Sequence, residues 1–172
     1  MRRQWVAYGL AALVGLAVLG YLGLVSGVLA PYLAGYDPAS PGDYEHTTVA
    51  AVNGETGEEL GRVNAAVADS FSKRYVGLSE TDRLPEDRGM LFVHDDVDER
   101  TYVMRNMSFG LDIVFVDSDG TITAIHDAPE PGPDEDGADQ EYAGEGRYVL
   151  EVNRGWTDEH GVEVSDRLEF EL

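Results

Sequence analysis

The sequence contains no cysteine. That excludes disulfides, thiolate metal centres, cysteine nucleophiles and a lipid-modified cysteine anchor. Any exported domain in this chain must therefore be held together by its core alone. Basic residues are scarce: one lysine, Lys73, and eleven arginines stand against 33 acidic residues, for a net charge of −21. No charged residue occurs from Gln4 to Tyr36. Dinucleotide fingerprints, P-loops, GxSxG elbows and HExxH pairs are missing as well.

The remaining composition narrows the reading. All 33 acids lie at or beyond Asp37, with ten of the 12 basic residues, so that part carries a net −23. Such a surface opposes phosphate, which excludes nucleic acid as a partner. It also makes anionic lipid headgroups poor partners for the acidic part. Chains this charged are disordered when they lack apolar residues. Here 43% of residues are hydrophobic, so a packed core is expected. An acid-rich, lysine-poor and yet globular chain fits adaptation to molar salt, where the Debye length falls to roughly 3 Å and self-repulsion is screened.

The uncharged stretch is the most decisive feature present. Trp5 to Ala30 is almost wholly apolar and would span about 39 Å as a helix, against a hydrocarbon core of about 30 Å. Trp5, Tyr8, Tyr32 and Tyr36 suit the two interfaces. Arg2 and Arg3 hold the N-terminus in the cytoplasm, leaving the rest of the chain outside. Val28-Leu29-Ala30 resembles a signal-peptidase site, but the apolar run is longer than a signal peptide needs. The expected organisation is a transmembrane anchor in 1–33, a Pro/Gly linker in 34–45 and an extracytoplasmic acidic domain in 46–172. The expected localisation is the cell membrane, single-pass, with the C-terminal domain outside.

Within that domain, alternation and turn signals predict strands at 46–53, 60–68, 90–94, 101–106, 112–117, 121–127, 147–152 and 167–172. Two short helices interrupt them. One covers 71–76, capped by Asp69 or Ser70 and ended by Gly77. The other covers about 155–160, capped by Asn153 and ended by Gly161. Asp112 to Val116 and Thr121 to Ile125 make a hairpin whose first strand, apolar on both faces, is expected to be central. Ala128 to Gly146 holds seven acids, three prolines and no base, and reads as a solvated loop. The fold class expected is mainly β with two short helices: a compact barrel-like β domain preceded by one N-terminal transmembrane helix.

Four segments occur in a characteristic order: Gly89-Met90-Leu91-Phe92-Val93, Tyr102-Val103-Met104-Arg105-Asn106, Leu111-Asp112-Ile113-Val114-Phe115-Val116-Asp117, and Tyr148-Val149-Leu150-Glu151-Val152-Asn153-Arg154-Gly155-Trp156. Their order and spacing resemble the domain-of-unknown-function 192 family, over roughly residues 60–172. The resemblance implies a single, commonly exported β-rich domain and supplies no established activity. Its recurrent polar residues fall on Asn106, Asp112 and Glu151, beside Met104. Two positions depart from the family pattern: Arg105 replaces a usual lysine, and Ser165 a usual glycine.

Met104, Asn106, Asp112 and Glu151 are therefore the candidate ligand-binding residues. Asp112 and Glu151 could alternatively form a carboxylate pair for a hydrolase or lyase. The structural reading of the same residues has Glu151 paired with Arg105 or Arg147, Asp112 bonded to backbone, and Asn106 tying down the loop 107–110. Of these, Asn106 is expected to serve a ligand and Glu151 to serve structure. Met90, Met104, Met107, His94 and His126 lack the spacing of a soft-metal site, and Asp95, Asp96, Asp98 and Glu99 lack an EF-hand's offsets. No metal and no cofactor are expected. The function expected is a binding module for an envelope component, glycan or protein partner.

Overall fold

The computed structural model describes residues 44–172. The expected anchor at 1–33, and residues 34–43 of the expected linker, lie outside the described residues. Among the described residues no helix is long and apolar enough to cross a membrane.

The described residues form seven strands: β1 (His46–Val52), β2 (Glu59–Ala68), β3 (Arg88–Val103), β4 (Leu111–Val116), β5 (Ile122–Ala128), β6 (Glu141–Asn153) and β7 (Arg167–Glu169). Helix α1 (Phe71–Val76) follows β2, a 3-10 turn (Gly137–Asp139) precedes β6, and helix α2 (Trp156–His160) follows it. The strands make one sheet in the order β5-β4-β6-β3-β2-β1-β7. Of its neighbouring pairs only β2 and β3 run parallel. The sheet curls into a half-barrel. At one end its two edges meet, where Thr121 bridges Arg167, Ile122 N–H donates to the Asp166 carbonyl at 2.8 Å and Leu168 N–H to that of Gly120 at 2.8 Å.

Strand periodicity sorts the side chains onto two faces. All seven strands contribute to one core, which includes Val49, Val63, Leu91, Val114, Ile122, Leu150 and Leu168. On the opposite face Met90, Phe92, Leu111, Ile113, Phe115 and Val149 form a second core, covered by Leu78 and Met104. β4 is buried along its whole length between β5 and β6, as a strand apolar on both faces should be.

Both helices lie where the sequence places them, and α1 is capped as expected: Ser70 accepts from Lys73 N–H at 3.4 Å, and Gly77 follows the last turn. The cap of α2 differs. The Asn153 side chain instead donates to the carbonyls of Leu84 and Pro85, at 3.0 and 3.1 Å. The acceptor for α2 comes from β4.

Two other expectations are corrected. The runs at 90–94 and 101–106 are parts of one strand, β3, with a register shift between Val93 and Asp98; it ends at Val103, because Asn106 takes a left-handed turn conformation at φ 57°. The acidic stretch 128–146 is not merely a solvated loop. Its last residues, Glu141–Gly146, pair with Asp98–Val103 of β3, and Gly137 is buried and accepts from Met104 N–H at 2.9 Å. The many acids conceal this ribbon because one side of each of its strands faces water.

Candidate functional site

Register decides what the two candidate carboxylates can do. Across β4 and β6, Asp112 stands opposite Val152 and Ile113 opposite Glu151. Residues directly opposed share a face, so Asp112 and Glu151 point to opposite sides of the sheet. They cannot act on one bond together.

Asp112 is structural. It is buried and accepts from Gly155 N–H at 2.9 Å, Thr157 N–H at 2.8 Å and the Thr157 hydroxyl at 2.7 Å. Those bonds satisfy donors at the start of α2, the part an N-cap side chain would otherwise play. Met104 is fully buried in the second core. Asn106 is exposed in a turn closed by Met107 N–H donating to the Met104 carbonyl at 3.1 Å, and it does not line the cavity described next. Asparagine is suited to that left-handed backbone. Of the four expected residues, only Glu151 reaches a cavity.

Glu151 is 6% exposed, and among the described residues no donor meets its carboxyl. Neither expected partner serves it. The Arg105 guanidinium donates to the Tyr75 carbonyl at 2.6 Å, and that of Arg147 reaches the His94 carbonyl at 3.4 Å. Instead Glu151 opens on a cavity of about 430 Å³ between α1, its following turn and β3. Burial lifts its carboxyl to about 8, so at neutral pH it carries its proton. No fully buried side-chain oxygen or nitrogen among the described residues lacks a partner, so the Glu151 oxygens are not sealed in the core but open to the cavity.

The cavity has apolar walls and a polar mouth. Leu78, Phe92, Met107 and Leu111 line it, and Tyr102 lies edge-on to Phe92 with ring centroids 5.0 Å apart. The Tyr102 hydroxyl is bonded to His94 Nε2 at 3.0 Å and so does not serve Glu151. Burial and the Glu151 charge both raise the Tyr102 phenol. Burial and the guanidinium of Arg100, more than that of Arg74, lower the His94 imidazole to about 4, so it stays neutral.

Arg74, Arg100 and Arg105 stand around the mouth. Arg100 pairs with exposed Asp96 at 2.9 Å. Arg74 and Arg105 have no carboxylate within ion-pair distance among the described residues, although the chain carries 33 acids. Arg74 is fixed by the Asp69 and Val93 carbonyls, at 3.0 and 2.7 Å; Arg105 stacks on the Tyr75 ring, 4.4 Å from its centroid.

A family model matches residues 52–170, and its family is DUF192, described as an uncharacterised conserved group. The chain belongs to the DUF192 family. Among solved structures, a candidate transcription regulator from Sinorhizobium meliloti is 28% identical, with a TM-score of 0.67; the match covers 76% of this chain and 98% of that one. A protein of unknown function from Novosphingobium aromaticivorans shares the fold at 24% identity and a TM-score of 0.63, over 76% of this chain and 89% of its own. No functionally curated protein matches.

In this DUF192 domain the sequence pointed to Glu151 but concealed its surroundings. Glu151 interrupts the apolar run Tyr148 to Val152, and that signal is visible. His94, Tyr102, Arg74 and Arg105 come from α1, β3 and the turn after it, and no spacing rule joins them. Met90, Met104 and Met107 pack in the second core, and among the described residues no group of three or more His, Asp or Glu is placed to hold an ion.

Proposed function

We propose that this domain is a binding module, carried outside the cell membrane by the N-terminal anchor, and that the Glu151 cavity is its ligand site. The observation that carries the reading is Glu151 itself: a residue only 6% exposed whose carboxyl meets no donor among the described residues and opens to a cavity of about 430 Å³. Cavities of that size accept a small molecule or the end group of a larger envelope component or glycan. The regulator description of the Sinorhizobium relative is not extended to this chain, since a net charge of −21 opposes phosphate. A hydrolase or lyase built on Asp112 with Glu151 is disfavoured by their opposite faces.

A group kept for a ligand detracts from stability in the empty protein. Glu151→Leu removes a buried unpartnered carboxyl, whose burden is about 1–3 kcal/mol. The variant should melt several degrees above the parent at pH 7. A melting temperature several degrees lower would assign Glu151 to the fold rather than to a site.

A further inference from the structure

The ligand's chemistry can be read from what the cavity supplies and what it leaves unmet; this deepens the binding reading above and rests on it. At the inner end, the Glu151 carboxyl is 6% exposed and has no protein donor, and the nearby Tyr102 hydroxyl is already bonded to His94 at 3.0 Å. Carrying its proton, this carboxyl can both donate and accept, so the occupant must bring a hydrogen-bonding group of its own. The walls of Leu78, Phe92, Met107 and Leu111 ask for an apolar middle. At the mouth, the guanidinium groups of Arg74 and Arg105 have no carboxylate partner among the described residues but are held in position by backbone carbonyls and the Tyr75 ring. Exposed Glu99 is the other acid on the lining, so the mouth is a cationic island on a strongly acidic molecule. Preorganised guanidinium groups match a carboxylate.

We propose that the cavity takes an elongated carboxylate whose far end is a hydroxyl or ammonium group, with the carboxylate at Arg74 and Arg105 and the far end at the Glu151 carboxyl. A hydroxyl exchanges hydrogen bonds with the neutral carboxyl, whereas an ammonium meets it as the carboxylate, the Glu151 proton passing to solvent on binding. The order of ends is fixed by the cavity: the charged end stays where water and arginines meet, and the donor end enters between apolar walls.

The test is calorimetric titration of the full chain, at the lowest salt that keeps it folded by circular dichroism. The probes are 6-hydroxyhexanoate, 6-aminohexanoate, hexanoate and 1,6-hexanediol. At least one of the two substituted acids should bind about tenfold more tightly than both hexanoate and hexanediol, the range expected of one added hydrogen bond or ion pair. Which of the two acids binds identifies the donor. Arg105→Ala should reduce its affinity to that of the diol, and Glu151→Leu to that of hexanoate. Equal binding of hexanoate overturns the inner donor, equal binding of the diol overturns the anion, and no binding by any probe overturns both. If no probe binds yet Glu151→Leu melts higher than the parent, the ligand class falls and the binding module stands. If Glu151→Leu melts lower, both fall.

Discussion

At the scale of single residues, the two buried carboxylates illustrate how environment assigns a role. Asp112 receives three hydrogen bonds and holds the start of α2. Asp112→Ala should destabilise by about 1–3 kcal/mol, the usual penalty for orphaning buried donors, and denaturant unfolding in molar salt measures it. Glu151 receives none, and its folded carboxyl is lifted to about 8 from 4.5. The folded protein therefore holds this proton more tightly than the unfolded chain. Its contribution to stability is intact below about pH 4.5 and is lost progressively as pH rises towards 8. His94 works in the other direction. Its folded value near 4 lies below 6.5, so stability is lost as pH falls from 6.5 towards 4. Unfolding free energies measured from pH 4 to 9 should show Glu151→Gln diverging upward from the parent above pH 4.5. Parallel curves across that range would contradict a raised carboxyl.

The elements show why some of this was legible and some was not. β1, β2, β4 and β5 agree with the alternation in the sequence because one or both of their faces are buried. The Glu141–Gly146 part of β6 reads as loop because its solvent side carries acids, so charge outweighs a weak apolar alternation. The cap of α2 was missed for a different reason: Asp112 lies 43 residues from the Gly155 amide it serves, and no local rule reaches that far. Ser165, set apart in the sequence from a usual glycine, does sit at a position suited to glycine, with φ 83°. Left-handed backbone is unfavourable for serine, so Ser165→Gly should raise stability by about 1 kcal/mol, measured by denaturant unfolding. Gly137 makes the opposite case. A Cβ there would collide with the Met104 carbonyl oxygen, so Gly137→Ala should loosen the turn that packs beneath Met104 and lower the melting temperature.

For the whole molecule, charge sets the conditions under which the fold and its site persist. With a net charge of −21, lowering salt from molar to about 0.1 M extends unscreened repulsion to roughly 10 Å. The domain should lose structure over that range. Circular dichroism that stays constant would count against adaptation to high salt. The same imbalance gives the cavity mouth its meaning, because unpaired arginines are unexpected where acids so outnumber bases. Folding gathers Arg74 from α1, Arg100 from β3 and Arg105 from the turn after β3 around one opening. The sequence contains these arginines, but only the three-dimensional arrangement brings them together above Glu151.

The central claim is that Glu151 is a buried, unpartnered carboxyl facing a ligand cavity. Its side-chain carboxyl carbon, followed by carbon-detected NMR in protein labelled at glutamate and assigned with Glu151→Gln, reports its protonation directly. A titration near pH 8 is expected in the empty protein. A titration near the ordinary 4.5 would show instead a solvated or paired carboxylate and no desolvated site.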